Sequence, residues 1–168
     1  MSIFHMSYHS EFVFDYPAEK VWPHFLDFRK WMTDFNFETL KGSELSEGWL
    51  VKTIAGPTAL STWPELPPEP HYHYTDILRV TPFKHFALKV YSEKNGSYGA
   101  IYTGFDTYTL VPLSNGKTMA IFDANSEYQL PDMPDEALQK LDEDFHKSLD
   151  PRMANYWNNL LGVVKDNS

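Results

Sequence analysis

The sequence predicts an α+β fold: a seven-stranded, curved antiparallel sheet wrapped around a long C-terminal helix, with two short helices between strands 1 and 2. Three observations carry this. Strand-like segments joined by short turns follow one another from residue 37 to residue 130. The tail carries an apolar stripe of helical spacing, and only a sheet is large enough to bury it. The sixth strand segment holds Gly99 and Gly104, which weaken pairing but let a sheet bend sharply.

Residues 6–16 alternate as a strand, with Ser10, Phe12 and Phe14 on one face. Pro17 ends the strand and suits a helix start, where its missing N–H has no partner to lose. Val21, Trp22, Phe25 and Phe28 then mark one helix face, and Pro23 keeps that helix short. A second helical piece is predicted over 29–35. Strands follow at 37–43 and 49–55, linked by SELSEG. Residues 56–70 hold five of the twelve prolines and read as an ordered loop or lid carrying Trp63. The remaining strands are placed at 71–80, 85–93, 98–112 and 118–130. Leu138, Leu141, Phe145, Leu149, Met153, Tyr156, Leu160 and Val164 form the tail's stripe. Asp150-Pro151 leaves open one interrupted helix or two in sequence, because Asp is a good N-cap and Pro a good first helical residue.

With 168 residues the chain suits a single domain spanning 1–168. Its formal net charge is −9, from 23 acidic and 14 basic residues, and the basic residues are scattered. Nucleic acid and anionic membrane surfaces both require a basic face, so neither is expected as a partner. The absence of cysteine excludes disulfides, thiolate metal sites and Cys nucleophiles. No basic start followed by an apolar run opens the sequence, and no stretch has the ~18 apolar residues of a membrane span. A cytoplasmic location is the default expectation. No G-x-S-x-G elbow and no glycine-rich phosphate loop is present, so no cofactor is implied.

The segment PAEKVWPHFLDFRKWM, with Pro17, Ala18, Glu19, Val21, Trp22, Asp27 and Trp31, resembles the START-like (SRPBCC) superfamily. This group includes the birch-pollen-allergen-like and polyketide cyclase/dehydrase-like proteins. KGSELSEGWLVK, LRVTPFKHFALKV and LVPLSNGKT resemble its later turns, so the likeness runs through most of the chain. The longer proline-rich segment and Pro151 depart from the family pattern. The resemblance implies the helix-grip fold and a hollow between sheet and helix that binds a small, largely apolar molecule for transport, storage or sensing. It also implies two alternatives: a cyclase/dehydrase-like lyase, and an interaction module like the chaperone-activator relatives. Neither turnover nor oligomeric state is implied.

Matched to the family pattern, Phe12 and Phe14 face inward, as do Phe86, Leu88 and Val90. Tyr98, Tyr102, Asp106, Tyr108 and Leu110 do so on the sixth strand, and Ala120, Phe122, Ala124 and Tyr128 on the seventh. The helix adds Phe145, Leu149, Met153, Tyr156 and Trp157. The ligand-binding set implied is Trp63, Phe86, Leu88, Val90, Tyr102, Tyr108, Phe122, Met153, Tyr156 and Trp157. The same side chains would equally fill a solid core, since interiors pack densely.

Asp106 is the candidate acid or base, because a carboxyl in an apolar pocket has a raised pKa. A solvated strand residue, or a structural acid hydrogen-bonded to a tyrosine, is the plainer reading. His71 and His73 share a strand face and could share a metal ion, but no third ligand has motif spacing. They read as surface histidines, and no metal is expected. Arg79, if inward, could bind a carboxylate or phosphate on a ligand, but it reads as an outward residue in a cross-strand salt bridge; Asp123, Asn125 and Glu127 read as a solvated face.

Overall fold

The computed structural model describes residues 1–62, 71–93 and 100–168. Trp63, Tyr98 and Gly99 lie outside the described residues. The described strands are β1 (Ser2–Phe14), β2 (Phe35–Lys41), β3 (Leu50–Ala55), β4 (Tyr72–Thr81), β5 (His85–Ser92), β6 (Ile101–Pro112) and β7 (Thr118–Leu130). The helices are α1 (Ala18–Leu26), α2 (Pro57–Thr62) and α3 (Asp135–Asp166). The second short helical piece, expected at 29–35, is a 3-10 helix over Phe28–Lys30.

All seven strands form one antiparallel sheet in the order β1-β7-β6-β5-β4-β3-β2. The first strand thus closes onto the last, and β1 and β2 form the edges. Period-two alternation puts Phe4, Met6, Tyr8 and Phe14 of β1 inward. Ala120, Phe122, Ala124, Ser126 and Tyr128 do the same on β7. Asp123, Asn125 and Glu127 take the opposite face, as expected. Bulges between Thr39 and Lys41 and between Ile77 and Arg79 interrupt the register of β2 and β4. Such irregularities add local bend and twist to a sheet.

The motif at the end of α1 is structural. Asp27 is buried, and its carboxylate accepts Arg29 Nε at 2.7 Å. The same guanidinium reaches Glu44 at 3.2 Å and lies over the Trp49 ring. Trp31 donates from Nε1 to the carbonyls of His24 and Phe25, which ties the 3-10 turn back onto α1. Gly42 leaves β2 with a φ of 83°, and a side chain there would strike the Gly48 carbonyl.

α3 is a single helix of 32 residues that runs through Pro151. Pro151 cannot donate to the carbonyl one turn back, a defect worth ~3 kcal/mol in a free helix. Buried Leu149 and Met153 hold the helix on either side of it. The buried stripe continues through Tyr156, Trp157, Leu160 and Val164. Asp135 and Glu136 in the first turn and Lys165 in the last suit the helix dipole. No helix among the described residues is long and apolar enough to cross a membrane.

Part of the segment read as a loop is helical. Pro57 opens α2 from the first helical position, where it costs no hydrogen bond. Gly56 N–H donates to the Asp34 carbonyl at 2.8 Å, anchoring the start of α2 beside β2.

Candidate functional site

Strand curvature and helix placement leave a space between the sheet and α3. It is a cavity of about 150 Å³. The sheet supplies Met6, His73, Val90, Tyr102, Asp106, Tyr108, Phe122, Ala124, Ser126 and Tyr128 to its walls. Phe145, Leu149, Arg152, Met153 and Tyr156 come from α3, and Met32, Phe35 and His71 complete the lining. A smaller pocket of about 60 Å³ adjoins it, reaching Phe28, Phe37, Thr53, Thr75 and Leu88. Met32, Phe35, His73, Val90, Asp106 and Tyr108 line both.

Gly104 helps to shape the wall. It pairs with Val90 on one side and Ser126 on the other. A Cβ at this position would collide with Ser126 Oγ and stand 3.1 Å from Val90 Cγ2. Both of those neighbours line the cavity, so the missing side chain leaves them room.

The aromatic walls are ordered by ring contacts. Tyr102 stacks on Tyr128 with centroids 5.0 Å apart, and Tyr108 meets Phe122 at 4.9 Å. Tyr156 donates its hydroxyl to Asp34 Oδ2 at 3.2 Å, which ties α3 to the residue before β2. Burial raises the pKa of Tyr102 and Tyr108, so both phenols stay protonated donors.

Asp106 stands where the two pockets meet. Its carboxyl makes no hydrogen bond to any described residue, and burial pushes its pKa up to about 7. No nearby charge contributes to that shift. The expected tyrosine partner is therefore absent among the described residues, and the acid is shaped by desolvation alone.

The histidines are a correction. His71 is 2 % exposed, and both His71 and His73 line the cavity rather than the surface. Burial, followed by the neighbouring His71, pushes the pKa of His73 down to about 3, so its ring is neutral. Among the described residues no group of three or more His, Cys, Asp or Glu is placed to hold a metal ion.

The implied ligand-binding residues divide. Val90, Tyr102, Tyr108, Phe122, Met153 and Tyr156 line the main cavity, as does Asp106. Leu88 lines the smaller pocket. Phe86 and Trp157 face inward but line neither of these two pockets. Phe86 stacks on Tyr108 at 4.6 Å and is closed off by Trp22 and Phe25 of α1. Trp157 stacks on Trp31 and donates to Ser10 Oγ at 2.8 Å. Arg79 is exposed, as its strand position suggested.

Met6, Met32, Phe35, His71, His73, Ser126 and Arg152 also line the cavity without having been singled out for it. Some were findable. Met6 shares the parity of Phe12 and Phe14, and the histidines share that of inward Thr75 and Ile77. Arg152 is three residues after Leu149 and four before Tyr156, hence on their helix face.

No protein-family model matches the sequence, and no curated protein matches it. Solved structures do. A START superfamily protein from Mycobacterium smegmatis superposes with a TM-score of 0.64 at 12% identity, covering 96% of this chain and 99% of that one. The fold is START-like. Norcoclaurine synthase from Thalictrum flavum, in complex with dopamine and hydroxybenzaldehyde, gives a TM-score of 0.67 at 13% identity over 99% of this chain and 90% of its own. The Zhui aromatase/cyclase from Streptomyces sp. R1128 gives 0.66 at 11% identity, over 96% and 94%.

Proposed function

We propose that this protein holds a small, largely apolar molecule, about one aromatic ring in size, between the sheet and α3. The observation that carries this reading is the pocket of about 150 Å³ between the sheet and α3, walled mainly by aromatic, aliphatic and thioether side chains. An apolar cavity of ~150 Å³ accepts benzene, whereas drug-sized ligands occupy pockets of ~300–1,000 Å³. Norcoclaurine synthase, alike in fold, is bound to dopamine and hydroxybenzaldehyde, which are one-ring compounds. A larger guest requires the walls to move.

One observation favours a second reading, a cyclase- or dehydrase-like lyase. Asp106 offers a carboxyl inside the cavity with a pKa of about 7, suited to taking and returning a proton near neutrality. An interaction module has less support, because its partner surface would leave the cavity without a role.

Native mass spectrometry of freshly purified protein tests the binding reading. The expected result is a fraction carrying a noncovalent adduct, lost on mild activation, whose mass gives the ligand class. Empty protein throughout, together with no uptake of benzene or toluene, would contradict it.

A further inference from the structure

The inward row of β6 carries polar groups that the chain itself leaves unmet. Tyr102, Gly104, Asp106 and Tyr108 follow one another on the face toward α3, with ~7 Å between alternate residues. Tyr102, Asp106 and Tyr108 border the cavity, and Gly104 leaves the stretch between Tyr102 and Asp106 without a side chain. Both tyrosines are buried, yet neither hydroxyl has a hydrogen-bond partner among the described residues. The Asp106 carboxyl has none either. Each phenol lies within electrostatic reach of that carboxyl, so the three groups converge without bonding one another. Buried polar groups are normally hydrogen-bonded, and three open ones around one space leave their partner to be brought by a guest. Burial keeps the phenols protonated and favours the neutral carboxylic acid, so all three offer O–H donors. A carbonyl oxygen has two lone pairs and accepts from two such donors, whereas an ammonium head brings only further donors.

We infer that the guest carries a neutral carbonyl oxygen, held on β6 by Asp106 and a flanking phenol. This rests on the binding reading above and names the chemical class of its ligand. The aromatic and thioether walls take the ring, and the carbonyl oxygen accepts the Asp106 O–H. A guest of the same shape with CH2 in place of the oxygen keeps the ring contacts and leaves the donors open. Removing the Asp106 donor therefore weakens a ketone relative to that hydrocarbon by about tenfold. The other titratable or charged groups facing this space are His71 before β4, His73 on it, Tyr128 of β7, and Arg152 and Tyr156 of α3.

Isothermal titration of the full chain with acetophenone and with 2-phenylpropene tests this, because the two differ only in O for CH2. The quantity read is the ratio of their affinities, which cancels any general change in the cavity. The ratio of acetophenone to 2-phenylpropene is expected to fall about tenfold in Asp106→Leu. In the unaltered protein it is expected to fall by a similar factor from about pH 5.5 to about pH 8.5, as the carboxyl loses its proton. Asp106→Asn keeps an N–H donor, so its ratio stays within about threefold of the unaltered protein's acid-side value and no longer varies with pH. A ratio unchanged in Asp106→Leu overturns the inference and leaves the cavity reading standing. A ratio flat with pH in the unaltered protein, or a pH dependence that survives in Asp106→Asn, does the same, because Asp106 is then not the donor. Binding of 2-phenylpropene without acetophenone also overturns it. Binding of neither compound overturns the inference, and if toluene also fails to enter, the cavity reading falls too. Should Asp106→Leu not fold, the pH profiles of the unaltered protein and of Asp106→Asn decide.

Discussion

The Tyr8 hydroxyl donates to Asp150 Oδ1 at 2.7 Å, joining an edge strand of the sheet to α3 one residue before Pro151. Burial and this carboxylate raise the Tyr8 pKa, so the phenol remains a donor throughout the accessible pH range. One turn earlier, a His146 ring nitrogen lies 2.9 Å from the Ser7 carbonyl oxygen. The helix is thus held to β1 beside the point where its own ladder lacks a bond. Tyr8→Phe is expected to cost about 1.5–3 kcal/mol, as for a hydrogen bond to a charged group. Urea denaturation at pH 7 measures it, and an unchanged midpoint would mean that the bond adds nothing to helix docking.

Asp106 makes the folded state sensitive to pH in an unusual direction. Its pKa is about 7 when folded and near 3.8 when unfolded, so the folded chain holds the proton more tightly. Stability attributable to this group is full below about pH 4 and is lost as pH rises toward 7. Asp106→Asn removes the buried carboxylate. It is expected to stabilise the fold by roughly 1–3 kcal/mol at pH 8 and to change little at pH 4. Thermal melts of both proteins across that range check the sign.

His73 works the opposite way. The unfolded ring takes a proton near pH 6.5, the folded ring only near pH 3, so its contribution is lost as pH falls between those values. Asp106 and His73 therefore oppose each other through the mildly acidic range. His73→Gln is expected to leave a stability profile that declines more steeply with rising pH than that of the unaltered protein. Parallel profiles would show that His73 is accessible to protons in the folded state.

Ala124 lines the cavity from β7, in register with Tyr8 and Asp106. Ala124→Leu fills space that the proposed ligand needs. Toluene uptake is expected to fall at least tenfold, with a stability change within about 1–3 kcal/mol, the usual range for overpacking. Undiminished uptake would place the guest elsewhere.

Much of the fold was readable because alternation and helical spacing are local properties. The strands at 118–130 and 85–93 were read almost to the residue, since each has clean period-two patterning and a turn on either side. β1 begins at Ser2, four residues before its predicted start; the MSIFH segment continues the alternation but is too short to stand out. α2 was hidden because prolines weigh against a helix interior, whereas Pro57 occupies the first position. Pro151 left two readings of the tail open, and tertiary burial of Leu149 and Met153 selects one helix.

The cavity was harder to read because a void is a difference between packed surfaces and has no sequence period. Phe86 and Tyr108 both face inward and stack on each other, yet only Tyr108 borders the space. Phe25 of α1 meets both rings, and Trp22 adds a further contact with Phe86. Arg152 shares the helix face of Leu149 and Tyr156, but a charged residue in an otherwise apolar stripe gives no sign of lining a space.

Methionine methyl NMR with toluene tests the central claim most directly. Met6, Met32 and Met153 line the cavity, while Met1, Met119 and Met133 do not. In protein carrying 13C-labelled methionine methyls, toluene is predicted to move the Met6, Met32 and Met153 signals saturably through its ring current. The other three should stay in place. No saturable shift at the first three, or equal shifts at all six, would contradict the account.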